Sequence, residues 1–196
     1  MSPDDRLDQQ FAFLNEADRL KSVLRATTLC DGSRPENSGE HSWHLALYAL
    51  TLADHAPPAV SIDRVIRMLL LHDLVEIDVG DVPIHSANGT AHASTETQLA
   101  ESRAADRIFG LLPPDLAASF RTLWEEFESA QTPDAIFAKS LDRVQPVLAN
   151  LQSGGGTWIT YNVTLDQLDT RVGSKIARGA PRLWDWVRGR ALRFFA

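Results

Sequence analysis

The chain has 196 residues, 44% of them hydrophobic, and carries a net charge of −7 with a single cysteine. This suits one compact unit of residues 1–196 and excludes a disordered tail, and no apolar run approaches the roughly 20 residues of a membrane-spanning helix. The acidic balance argues against a nucleic-acid polymer as partner, the polar start Met1-Ser2-Pro3-Asp4-Asp5-Arg6 is no secretory signal, and a lone Cys30 favours a cytoplasmic protein.

Nearly every segment reads as helix. Leu7, Phe11, Leu14, Ala17, Leu20 and Leu24 recur every three or four residues and predict a first helix over about 6–24. Asp31-Gly32-Ser33, Pro35 and Asn37-Ser38-Gly39 break the pattern and predict a loop over about 26–39. A second helix follows over about 40–54, ended by Pro57-Pro58. Ser61 is a candidate N-cap for a third, whose middle, Met68-Leu69-Leu70-Leu71, is apolar all round and predicts a central, buried position.

Gly80 and Pro83 end that helix, and residues 82–93 read as a polar loop in which His85 and His92 are expected to be exposed. Thr95 and Gln98 stand at capping-box spacing before a fourth helix. Pro114 opens a fifth, with Leu116, Phe120, Leu123 and Phe127 inward. Thr132-Pro133 opens a sixth, in which Pro146 predicts a kink or an early end. Gly154-Gly155-Gly156 is a break, Thr164 and Gln167 cap a seventh helix, and Pro181 opens the last. The longest candidate strand is Trp158–Tyr161, so the fold class is an all-α helical bundle.

The chemistry concentrates in a few places. Glu40-His41-Ser42-Trp43-His44 opens the second helix. His72-Asp73 follows the most apolar run, where such groups are unfavourable to bury unless paired or bound to a metal. Asp142 falls inside the sixth helix, between Lys139 and Arg143. Two imidazoles and two carboxylates can converge on one divalent ion, and such an N/O set suits Mn, Fe, Co or Zn better than Mg. Glu76 shares a helical face with His72 and Asp73 and is placed to handle a water's proton, and Asp81 lies just past the helix end. His44 is expected to support the site rather than bind the ion.

The ordered set Glu40-His41-Ser42, Leu71-His72-Asp73-Leu74-Val75-Glu76, Gly80-Asp81 and Lys139-Ser140-Leu141-Asp142-Arg143 resembles the HD-domain phosphohydrolases, in a branch similar to the 5′-deoxynucleotidases. The resemblance spans about 15–165, leaving a C-terminal helical extension. It implies an HD-domain helical bundle, commonly a homodimer. His41, His72, Asp73 and Asp142 would hold the metal, Glu76 would orient or deprotonate water, and Asp81 would contact the sugar or leaving oxygen. Arg25, and Arg34 just upstream of the His41 motif, would bind the phosphate of a nucleotide, with Lys139 and Arg143 as second choices. That branch follows its arginine with a tryptophan, where this chain has Ala26. Two other readings remain open: a di-iron oxygenase using His85 and His92, and a metal- or nucleotide-binding protein without turnover.

Overall fold

The computed structural model describes residues 2–90 and 94–196, and it is a helical bundle with one small hairpin. In chain order, α1 spans Pro3–Ala17, β1 Leu24–Thr28, β2 Pro35–Asn37, α2 Ser38–Thr51, α3 Ile62–Leu71 and α4 Glu76–Val79. Next come α5 Thr95–Phe109, α6 Pro114–Ser129, α7 Pro133–Gln152, α8 Gly156–Thr160, α9 Leu165–Leu168, α10 Ser174–Gly179 and α11 Pro181–Phe195. Short 3₁₀ turns link several of these, and His72–Val75 is one of them.

Capping residues set most of the helix starts. Thr132 accepts from the Ala135 N–H ahead of Pro133, and Thr164 and Gln167 form a reciprocal capping box. Ser2 and Asp5 do the same for α1, which therefore starts earlier than its apolar pattern indicates. At α5 the cap is Ser94 rather than Thr95, since Ser94 accepts from the Thr97 N–H. Ser61 precedes α3 without capping it through its side chain; its N–H is donated to Asp134 at 2.8 Å.

The core is built where α2, α3, α6 and α7 meet. Leu45, Ala49, Val65, Met68, Leu69, Phe127, Phe137 and Leu141 are all buried there. Burial of each large side chain is worth about 1.5–3 kcal/mol, so this junction fixes the helices that carry the polar site. Trp124 of α6 donates its indole N–H to the His72 carbonyl at 3.2 Å, tying the 3₁₀ turn to the core.

Several expectations are corrected. The predicted loop at 26–39 contains an antiparallel hairpin, with Leu24 opposite Asn37 and Thr28 opposite Pro35. Strands this short escape periodicity. Trp158–Tyr161 is not a strand, because α8 covers most of it. The α1 stripe faces solvent: Leu7, Phe11 and Leu14 are 51–60% exposed, and Phe13 is the residue buried. Leu70 is 47% exposed, so α3 is not enclosed on all sides. α7 does not end early at Pro146 but continues to Gln152. No helix among the described residues is long and apolar enough to cross a membrane.

Candidate metal centre and its pocket

His41 stands one turn into α2, whose start is fixed by the Asn37–Glu40 capping box. Its ring is fully buried. Nδ1 faces Gln145 Oε1 at 3.1 Å and Glu36 Oε2 at 3.2 Å, while Nε2 faces Asp142 Oδ1 at 3.2 Å. His72 donates from Nδ1 to the Leu69 carbonyl at 2.9 Å, which leaves Nε2 turned the other way. That Nε2 lies 2.9 Å from Asp73 Oδ1 and 3.8 Å from Asp142 Oδ1, yet it is a buried nitrogen without a hydrogen-bond partner. His41, His72 and Asp73 offer ligand atoms within 4.8 Å of one another, and Asp142 adjoins both imidazoles.

This donor set fits a divalent ion. Each imidazole has its outer nitrogen engaged, so the inner one is left to meet an ion, which on His41 must first displace a proton. Charge points the same way. Glu36, Asp73, Glu76, Asp81 and Asp142 crowd around Arg25 and Arg143 as the nearby cations. Burial and the Arg25 charge lower the His41 pKa, but hydrogen bonds to Asp142 and Glu36 outweigh them and raise it to about 9. Burial opposes ionisation of Asp142, but Arg143 and the two imidazoles hold its carboxyl well below the usual range.

Arg25 of β1 is drawn in among the acids. Its Nη1 donates to Asp73 Oδ2 at 2.7 Å and lies 3.5 Å from Glu76 and 3.6 Å from Asp81. Glu76 opens α4 and accepts from the Ser38 hydroxyl. Burial and the Asp73 charge push the Glu76 carboxyl well up, against the pull of Arg25 and Ser38. Gly80 closes α4 at φ 74°, a left-handed conformation natural to glycine, and turns Asp81 back so that its Oδ2 accepts from the Ala26 N–H at 3.2 Å.

A cavity of about 380 Å³ opens beside these groups, and Arg25, His72, Asp73, Glu76, Asp81 and Asp142 are among its lining residues. Its lining also holds basic residues, Lys139 and Arg143 from α7 and Lys175 and Arg178 from α10, together with Glu101 and Glu128. α10 can lie this close because Gly179 has no side chain: a Cβ there would stand 2.5 Å from Ser140 Oγ and 2.7 Å from the Ile136 carbonyl. The basic residues of α10 escaped the sequence reading, since nothing in their local pattern shows which helix they pack on.

Other sequence candidates are placed elsewhere. Arg34 lies outside the cavity lining, half exposed, in a two-pronged ion pair with Glu40 at 2.6 and 2.9 Å. His44 stacks near Trp43 and Tyr48 and lines a separate apolar groove, away from the ion site. His85 is buried rather than exposed, in a side cavity apart from the ligand cluster. His92 lies outside the described residues. Among those described, no second cluster of metal-ligating groups accompanies the first.

Comparison with known proteins points to one family. A family model for the HD domain matches residues 17–184. Human 5′-deoxynucleotidase HDDC2 is 32% identical over 137 residues, covering 69% of this chain and 64% of that protein. The chain thus matches just under two thirds of the length of that relative. A 5′-deoxynucleotidase of Erwinia tasmaniensis is 27% identical over 161 residues, 79% of this chain and 81% of its own. The crystal structure of a protein from Magnetospirillum magnetotacticum, described as a predicted metal-dependent phosphohydrolase, superposes with a TM-score of 0.89. It is 46% identical and covers 97% of this chain and 95% of that one. By its family match, its motif order and the convergence of those motifs in space, the chain belongs to the HD-domain family.

Proposed function

We propose that the protein is a metal-dependent phosphomonoesterase that hydrolyses nucleoside or deoxynucleoside 5′-monophosphates. One observation carries the reading: one cavity brings buried imidazole and carboxylate groups together with four basic side chains. A phosphate monoester needs both. His41, His72, Asp73 and Asp142 would hold one divalent ion, with Mn, Fe, Co or Zn better suited than Mg to the imidazoles. The ion supplies positive charge to the phosphoryl group and lowers the pKa of water.

The chain's own groups do the rest. Lys139, Arg143, Lys175 and Arg178 face the phosphate oxygens, with Arg25 balancing the acids beneath. Glu76, steadied by Ser38 and Arg25, takes a proton from the attacking water. The water oxygen bonds to phosphorus as the bond to the ester oxygen breaks. Asp81 would contact the leaving oxygen, which departs as the alcohol with the proton that Glu76 has taken from the water. Products are the nucleoside and inorganic phosphate. Arg34, held by Glu40 beyond the cavity, is assigned no part in binding.

The same reading makes the protein a cytoplasmic homodimer acting on a small molecule, with no nucleic-acid polymer as partner. The unpartnered stripe of Leu7, Phe11 and Leu14 on α1 supports self-association. A screen of nucleoside 5′-monophosphates against Mn, Co, Fe, Zn and Mg tests it. Release of phosphate dependent on an added metal is expected, and its absence with every pair would sink the proposal. An iron-dependent oxygenase has less support, because His85 stands apart from the ligand cluster.

A further inference from the structure

Behind the main cavity lies a smaller one of about 60 Å³, and Arg25, Asp81, Val82 and Arg143 line both. Ala26, His85 and Tyr161 are among its other walls. That is more room than one water needs. Its polar groups are of two kinds. Asn150 and Thr157 are satisfied by each other: Asn150 Nδ2 donates to Thr157 Oγ1, and the Thr157 N–H donates to Asn150 Oδ1, both at 2.8 Å. His85 Nδ1, Arg25 Nε and Arg143 Nε are buried and have no hydrogen-bond partner among the described residues, although the two guanidinium nitrogens face carboxylates, Glu36 at 4.0 Å and Asp142 at 3.6 Å. Buried polar atoms are rarely left so, and His85 Nδ1, which has no ion pair among those residues either, points to a ligand atom in this cavity with Arg143 as its charged neighbour.

The chemistry of that pair narrows the ligand. His85 is 8% exposed, and burial together with the Arg171 and Arg143 charges pushes its pKa down to about 4, so the ring is neutral at physiological pH. A guanidinium N–H donates only, whereas a neutral imidazole nitrogen donates or accepts according to tautomer. A hydroxyl serves both at once, since it accepts from Arg143 and still has a proton and a lone pair for His85. An ammonium group would meet like charge at Arg143.

We propose that this side cavity receives a hydroxyl of the leaving alcohol, and that His85 and Arg143 are specificity-determining residues for hydroxyl-bearing phosphate esters. The proposal rests on the phosphomonoesterase reading above. Asp81 lines both cavities, so an ester whose leaving oxygen meets Asp81 has its sugar at the junction.

The test compares a ribonucleoside 5′-monophosphate with its 2′,3′-dideoxy analogue, by kcat/KM and by calorimetric binding to the metal-loaded protein. The intact protein should favour the hydroxylated ligand by about tenfold or more, since the analogue leaves both polar atoms without a hydrogen bond. His85→Leu keeps bulk and removes polarity, and the ratio should fall towards one. Ala26→Leu narrows the cavity and should do the same should the first variant fold poorly. No preference in the intact protein, or one that survives both substitutions, overturns the proposal. A binding preference lost in the variants, without turnover of any ester, would support the cavity assignment while ending the phosphomonoesterase reading.

Discussion

The ligand cluster and the basic residues near it are built on opposite plans. In the cluster, His41, His72, Asp73 and Asp142 are buried, and each is fixed by a second contact: Gln145 and Glu36, the Leu69 carbonyl, Arg25 and Arg143 respectively. Among the basic residues, Lys139 is shared with Glu128 at 3.1 Å and lies over the Phe127 ring, while Lys175 and Arg178 reach the cavity from an exposed face of α10. A preset cluster holds its geometry without help from the substrate. Exposed charges such as Lys175 and Arg178 contribute attraction that salt can replace. Substitutions in the cluster should therefore remove function, and those among the basic residues should tune it.

The sharpest break should come at Asp142, whose loss takes away a ligand and the partner of both imidazoles. Asp142→Ala should lose its metal and, with it, measurable turnover; full occupancy by elemental analysis would remove Asp142 from the ligand set. Glu76 comes next. Glu76→Gln keeps the size and removes the basic oxygen, so kcat should fall by about 10²- to 10⁴-fold while metal content holds. A variant that loses its metal would make Glu76 a ligand instead.

The cluster should also show itself in pH. With the His41 pKa raised to about 9, this ring keeps a proton at neutral pH, and an incoming ion must displace it. Falling pH favours the proton, so metal affinity should weaken by about tenfold per unit below that pKa and level off above it. Calorimetry in two buffers of different ionisation enthalpy should count the released proton, and equal heats would refute the displacement. Among the basic residues, Lys175→Ala should raise KM by about three- to tenfold, more at low salt than at high, leaving kcat near normal. Arg34→Ala should change either constant by less than about twofold, because its exposed pair with Glu40 lies outside the cavity. A larger effect would move phosphate recognition towards that end of α2.

The sequence carries one of these groups far better than the other. Cluster residues lie in short ordered segments, and imidazoles or carboxylates after an apolar run such as Met68–Leu71 already call for a partner. Caps at Thr132 and Thr164 mark their helices because the signal is local. What stays hidden depends on packing. Lys175 and Arg178 look like ordinary surface charge until Gly179 seats α10 against α7. His85 sits in a polar stretch that reads as exposed, yet the fold closes over it. The α1 stripe has the period of a buried helix, and periodicity alone does not say whether a partner covers it. The hairpin that delivers Arg25 is held by pairing between residues too few to show alternation.

α7 carries Lys139, Asp142, Arg143, Gln145, Pro146 and Asn150, so a single rod serves the basic lining, the ion site, the support of His41 and the side cavity. Residues along such a rod are set about 100° apart in rotation and 1.5 Å apart in height. Deleting one residue between Lys139 and Asp142 would turn everything beyond it by that angle relative to what precedes it. The compartments would then fall out of phase together, although every side chain was still present. Single replacements along α7 can adjust one compartment at a time, whereas a change of length offers no intermediate.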